Sequence, residues 1–258
     1  MAHKTLIGGT AYEISGGKTL VDGTAYSIKN GKTLVGGTVY EVGFANHLSP
    51  DGEILDTWAD IQAGLYTEFY SIGNYKPITL TTGETINMEI VAFNADTKAD
   101  GSKAAITWIS REIATNHSMN STATNVDGWA ASKMRTWLKD GFYATLPIEV
   151  KAVIQTVNKT YYDSTTTSTL TCEDNVWIPS YREIYGSDAR ETSGVDYTAY
   201  FSSEAMCQKK NLRGNPASWW LRSAYISGAI VFCLVNIAGG VATSRANESC
   251  GVVLGFCT

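Results

Sequence analysis

Catalytic raw material is scarce in this chain. Its 258 residues include three histidines, His3, His47 and His117, scattered and far from the cysteines in sequence. No Cys/His pair and no neighbouring acidic cluster is present to activate a thiolate, so the chain is not expected to be an enzyme. The five cysteines (Cys172, Cys207, Cys233, Cys250, Cys257) are odd in number and lack C-x-x-C spacing. That argues against zinc and against a dense disulfide framework. Free thiols are the expectation; one bridge between two of the last three cysteines is the alternative. Charge is sparse as well, at 17% of residues with a net of −5, which gives no basic footprint for nucleic acid. Apolar runs such as Gly228 to Ile237 are too short to span a bilayer, and no basic-then-apolar signal peptide opens the chain. These absences point to a soluble protein outside the ordinary secretory route, with no membrane insertion, metal or cofactor.

What is present is a repeat followed by a domain. A 44% hydrophobic content supports a sizeable core, and the length allows one large domain plus a small appendage. Residues 1–43 carry three copies of a 14-residue unit: KTLIGGTAYEI from Lys4, KTLVDGTAYSI from Lys18 and KTLVGGTVYEV from Lys32. Gly-Gly or Asp-Gly separates two short β-favouring runs in each copy, which predicts small hairpins. A lone hairpin cannot bury its apolar face. The module therefore serves either as a capping sheet or, through unpaired edges, as an attachment and oligomerisation element.

Residues 44–74 form a transition. Within it, Ile54, Leu55, Trp58, Ile61 and Leu65 fall on one side of a predicted helix with Asp56 as a possible cap. The large domain spans residues 75–258. Strands are predicted at Pro77–Leu80, Thr85–Asn94 (a central strand) and Ala104–Ser110. Asp96–Lys103 between them reads as a solvated hairpin turn, in preference to a calcium loop. A helix is expected over Asn125–Leu138, starting at Asp127 and ending at Gly141, and another from Pro147 to Ile154. Ser164–Thr171 reads as a polar loop. Ser180 is expected to cap a short helix with Glu183 in the capping-box position.

Four segments in order, SKMRTWLKDGFYATLP (Ser132–Pro147), WIPSYREIYG (Trp177–Gly186), SWWLRS (Ser218–Ser223) and GVVLGFCT (Gly251–Thr258), carry a resemblance. Together they resemble a domain of uncharacterised function common in tail proteins of phages infecting Gram-positive bacteria. That domain is similar to the C-type-lectin fold in the variant shared with formylglycine-generating enzymes. The N-terminal repeats likewise resemble the opening of phage tail proteins. The resemblance implies an α+β, C-type-lectin-like domain behind the hairpin module and a receptor-binding adhesin in the virion, at a tail tip or fibre. Its implied partners are a host-surface receptor (protein or glycan), other tail proteins and copies of itself, as a trimer by analogy with tail fibres. The alternative is a structural tail subunit. Cys250 and Cys257 occupy places like the cysteine pair of the related enzymes, but their surroundings do not match that motif. The family usually shows Arg-Pro where this chain has Val253-Leu254. Asn215-Pro216 lacks the Glu expected of a calcium-dependent sugar site.

In some relatives a retroelement diversifies the C-terminal segment by mutating adenines, which turns AAY codons into NNY codons. Such codons never encode Lys, Glu, Gln, Met or Trp. Those residues fill about 40 of the first 220 positions, so roughly seven are expected from Leu221 to Thr258, and Glu248 alone is found. The segment then divides into a structural frame of Trp219, Trp220, Arg222, Phe232, Gly239, Gly251 and Phe256, and an outward, exchangeable ligand-binding set. That set is Tyr225, Ile226, Ala229, Ile230, Val231, Leu234, Ile237, Val241, Thr243, Ser244 and Arg245. Several of these are apolar, as expected of a contact surface.

Overall fold

The computed structural model describes residues 47–65, 67–186 and 191–258, together with the backbone of six N-terminal strands. Those strands are β1 (Lys4–Ile7), β2 (Thr10–Glu13), β3 (Lys18–Val21), β4 (Thr24–Ser27), β5 (Gly31–Val35) and β6 (Thr38–Val42). They pair antiparallel as three hairpins whose closing pairs are Ile7 with Thr10, Val21 with Thr24 and Val35 with Thr38. The Gly-Gly and Asp-Gly connections, the strands' side chains and His3 lie outside the described residues.

The remaining strands are β7 (Tyr75–Thr79), β8 (Thr85–Phe93), β9 (Ile106–Ser110), β10 (Thr115–Ser118), β11 (Val157–Asp163) and β12 (Ser168–Asp174). After them come β13 (Lys209–Lys210), β14 (Pro216–Ala217), β15 (Trp219–Ala224), β16 (Val231–Val235), β17 (Val241–Arg245), β18 (Ser249–Val252) and β19 (Gly255–Cys257). Short helices punctuate them: α1 (Trp58–Gln62), α2 (Lys133–Trp137), α3 (Tyr143–Thr145), α4 (Ile148–Lys151), α5 (Tyr181–Tyr185) and α6 (Glu204–Cys207). The class is mixed α+β, mostly sheet with few helices.

Two sheets organise the domain. One is antiparallel, in the order β19-β9-β8-β7; the other runs β10-β18-β15-β16-β17 and is antiparallel except where β15 meets β18. Two connections cross between the sheets side by side. Leu254 O accepts from Ser110 N (2.8 Å), and Val252 O accepts from Ala114 N (3.0 Å). Val253 and Leu254, the departure from the resembled pattern, are buried in this crossing. Thr258 is anchored too: its carbonyl accepts from Ala105 and Ile106, and its hydroxyl from Trp108 Nε1.

A buried ionic network ties β15, β11 and α5 together. Arg222 forks onto Glu183 (Nη1–Oε2 2.6 Å, Nη2–Oε1 2.7 Å) and also donates to the carbonyls of Ile178 and Thr160. Lys159 Nζ reaches Asp96 (2.7 Å), Glu183 (2.8 Å) and Tyr197 OH (2.8 Å), and sits over the Trp177 ring. Burial pushes the Glu183 carboxyl up, but Arg222 and Lys159 outweigh it and hold it below its ordinary value. Asp96 follows the same pattern: Lys159, Thr107 and Tyr197 overcome its burial. Two cations facing two carboxylates let these charges stay ionised out of water. Asp96 was expected in a solvated turn and is instead fully buried, because this pairing outweighs the turn's polarity; Asp100 to Ser102 stay exposed.

Other local expectations shift. The first helix is confined to Trp58–Gln62, with Thr57 as its cap in a capping box with Asp60. Asp56 is occupied elsewhere, accepting from Tyr70 OH (2.7 Å) and pairing with His47 Nδ1 (2.9 Å), and Leu55 and Leu65 are exposed. Asp127 has φ +58°, which no right-handed helix accepts, so the next helix starts at Lys133 with Ser132 as cap. It passes Gly141 in a π turn (Leu138–Phe142) and runs on into α3. Ser168–Thr171 belong to β12 in a seven-residue ladder with β11, not to a loop. The Ser180/Glu183 capping box forms as expected. None of the five cysteines is in a disulfide. Among the described residues no helix is long and apolar enough to cross a membrane, and no group of three His, Cys, Asp or Glu side chains is arranged to hold a metal ion.

Candidate ligand-binding surface

The frame half of the C-terminal division is buried throughout. Trp219, Trp220, Arg222 and Phe232 are fully enclosed, as is Phe256 but for a trace, and Gly239 and Gly251 are buried with them. Successive strand residues face opposite sides of a sheet, so the two tryptophans anchor it from both. Trp219 Nε1 donates to Cys207 O (3.0 Å) and Trp220 Nε1 to His117 O (2.9 Å). Gly239 has φ +89°, and a Cβ there would overlap the Glu204 carbonyl; a Cβ on Gly251 would lie 2.6 Å from Ser218 O. Both positions require glycine.

The outward half is placed less uniformly. Ile226, Ala229, Ile230, Ile237, Val241, Thr243 and Arg245 are exposed, while Tyr225, Val231 and Ser244 are half-buried. Leu234 is a correction: it is 7% exposed. It pairs with Trp220 on one side and Ala242 on the other, so an interior strand covers what alternation had left open.

These residues do not converge on one pocket. Ile226, Ala229 and Ile230 occupy the loop entering β16, whereas Ile237 lies in the loop leaving it. The edge strand β17 joins the two groups along about 13 Å, four residues at strand rise. Val241, Thr243 and Arg245 share one face of it.

Each loop is held from behind. Asn125 is fully buried and donates Nδ2 to Gly228 O (2.7 Å) and Val231 O (2.8 Å), while its backbone N–H donates to Ala229 O (2.8 Å). Asn236 Oδ1 accepts from Ala238 N (2.8 Å) and Gly240 N (3.2 Å), and Tyr185 OH donates to Gly239 O (2.7 Å). Sequence reasoning missed Asn125, having assigned it to a helix; the Asn125-Val126-Asp127-Gly128 run is a turn signal that could have found it. It also missed Val126 and Met206, exposed apolar side chains next to the two loops. Val126 follows Asn125, and Met206 lies in α6, whose Glu204 carbonyl abuts Gly239.

An open cleft of about 480 Å³ adjoins Val241 and is walled by Ile184, Tyr185, Phe201, Glu204 and Cys207. A smaller one, about 350 Å³, lies between Lys139, Asp140, Tyr143, Glu173 and Asn175 and contains none of the residues selected from sequence. Burial pushes the Cys207 thiol up to about 11 and the Cys250 thiol above its ordinary value, and Cys257 lies well above it. Thiols so placed stay protonated at neutral pH. His47 and His117 lie away from the cleft; His117 stacks on Trp137.

Residues 105–257 match the family described as a domain of unknown function, DUF6273, over more than half of the chain. The chain belongs to this family. Neither the curated proteins nor the solved structures give a match. The DUF6273 match takes in the whole five-stranded sheet, the frame residues and both loops. It starts just before β9 and so leaves out β7 and β8, although β8 is bonded to β9 along most of its length. The folded unit is therefore larger than the family match. Of the ionic network, Lys159, Glu183, Tyr197 and Arg222 lie inside DUF6273, and Asp96 lies outside it.

Proposed function

We propose that this chain is a phage tail-associated receptor-binding protein. In this reading residues 75–258 form a C-type-lectin-like domain of the formylglycine-generating-enzyme variant. Its non-catalytic surface, made by the 225–230 loop, β17 and the 236–240 loop, contacts a host-surface receptor. The hairpin module would attach the domain to other tail proteins and to further copies of itself, as a trimer by analogy with tail fibres.

The observation that carries the reading is the division within one short segment. The frame positions are buried and fully satisfied, while Ile226, Ile230, Ile237 and Val241 stay exposed beside them. Apolar side chains held out on a rigid support are what a contact surface needs. The same division suits diversification by a retroelement, because exchange at the exposed positions leaves the frame untouched.

The test is host-cell binding by the Tyr225→Ala, Ile230→Ala and Arg245→Ala variants. Weakened binding with unchanged thermal melting is expected; unchanged binding by all three would favour a structural tail subunit. A reverse transcriptase gene and a near-identical template repeat beside the coding sequence are expected if the segment is diversified. Their absence would remove diversification and leave adhesion standing.

A further inference from the structure

The free edge of β17 has a chemistry of its own. Asn236 N donates to Gly240 O (2.8 Å), and Ala246 N donates to Ile230 O (2.9 Å), so hydrogen-bonded pairs flank the β16–β17 ladder at both ends. Bonded and non-bonded pairs alternate in an antiparallel ladder. In steps of two from either flank, Leu234–Ala242 and Phe232–Ser244 are the bonded pairs of the β16–β17 register. Val241, Thr243 and Arg245 therefore turn their N–H and C=O groups away from β16. The Arg245 carbonyl is taken by Glu248 N (2.9 Å). Those of Val241 and Thr243 face outward, and among the described residues no strand follows β17 in its sheet.

Proteins usually blunt such an edge with lysine, proline, a bulge or a covering segment. β17 reads VATSR and pairs with β16 without a register shift, so Arg245 is its only charge and it has neither proline nor bulge. Beside it, Val241 forms one wall of the 480 Å³ cleft.

Resting on the receptor-binding reading above, we propose that the partner binds as an extended protein segment, adding to β17 as a further strand of the sheet. Outward amides and carbonyls repeating at every second residue complement a polypeptide backbone; a glycan offers no such period. Alternate side chains of the added strand lie on the face shared by Val241, Thr243 and Arg245. One enters the cleft beside Val241 and is apolar. Another, four residues along, meets the exposed Arg245 and is acidic. The recognised chemistry is thus an extended segment with an acidic and an apolar residue four positions apart.

The test uses a synthetic library of end-blocked peptides with that spacing, with binding read by fluorescence anisotropy. N-methylation along the tightest binder is expected to weaken it about tenfold at every second amide and leave the amides between unaffected. That series uses the unaltered protein. Thr243→Pro removes one outward N–H and is tolerable at a sheet edge; about tenfold weaker binding with unchanged melting is expected. Arg245→Glu should exchange the acidic preference for a basic one. Methylation sensitivity without a two-residue period would overturn the proposal, as would full binding by folded Thr243→Pro. If host cells bind and a glycan array is recognised instead of the peptides, with loss in Ile230→Ala, strand addition fails and the receptor-binding reading stands. If cells, glycans and peptides all fail to bind, both fail.

Discussion

Strands β15 and β17 lie two places apart in one sheet and are built on opposite terms. β15 reads WWLRSA and is buried at every position; β17 reads VATSR and alternates exposed with half-buried residues. The difference does not follow polarity, since β15 holds Arg222 and Ser223 while β17 holds Val241. It follows position. β15 is covered on both faces and both edges, so each polar group in it must find a protein partner, and Arg222 does so with four donated bonds. β17 has one covered edge and one open face, so water can serve whatever side chain stands there. Specificity for the fold is concentrated in the first strand, and freedom to vary in the second.

The sharpest way to break this contrast is to strip the buried strand of its charge partner. Arg222→Ala leaves Glu183 without its fork and should cost about 3–5 kcal/mol, measured by denaturant unfolding. A cost below about 1 kcal/mol would mean that the network does not hold the frame.

A middle-sized effect is expected where frame meets surface. Asn125→Ala removes the side-chain donor to the Gly228 and Val231 carbonyls, leaving Val231 O only the longer bond from Tyr225 N (3.2 Å), and should cost about 1–3 kcal/mol. Hydrogen exchange should quicken around residues 225–231 and not in β19. Uniform quickening across the domain would show that Asn125 supports the core rather than the loop.

The smallest effect concerns pH. Glu191 is fully buried, its Oε2 has no partner among the described residues, and burial raises its carboxyl above the ordinary 4.5. A carboxyl raised on folding favours the folded state below its unfolded value, and that contribution is lost as pH rises through the folded one. Glu191→Gln should therefore stabilise the protein increasingly above pH 4.5 and have little effect below it. Asp96 and Glu183, both lowered on folding, act in the opposite sense. Their contribution is complete above ordinary carboxylate values and fades as acid protonates them, in the variant and the parent alike. Stability curves for Glu191→Gln and the parent that run parallel from pH 4 to 8 would contradict the assignment.

How far this was legible in the sequence depended on the range of the interaction. The Ser180/Glu183 capping box lies within one turn and could be read directly. Glu183 as the partner of Arg222 could not, because 39 residues separate them. β8 and β9 announced themselves by β-branched content, and the hairpin repeats by their Gly-Gly and Asp-Gly punctuation. The helix over Asn125–Leu138 was misplaced because its apolar spacing suits a helix, while Asp127 is held in a left-handed turn and Asn125 is committed to a loop about 100 residues away. Leu234 was misjudged for a related reason. Alternation tells one face from the other only where one face is open, and β16 has neither face free at that point. The frame glycines were readable as glycines, but the carbonyls that crowd Gly239 and Gly251 belong to other segments.

The most direct test of the division is a saturation scan of residues 219–258, read by protease resistance of the folded domain. The account predicts intolerance at Trp219, Trp220, Arg222, Phe232, Gly239, Gly251 and Phe256, joined by Leu234. It predicts broad tolerance at Ile226, Ala229, Ile230, Ile237, Val241, Thr243 and Arg245. Tolerance spread evenly over both sets, or intolerance along β17 equal to that along β15, would contradict it.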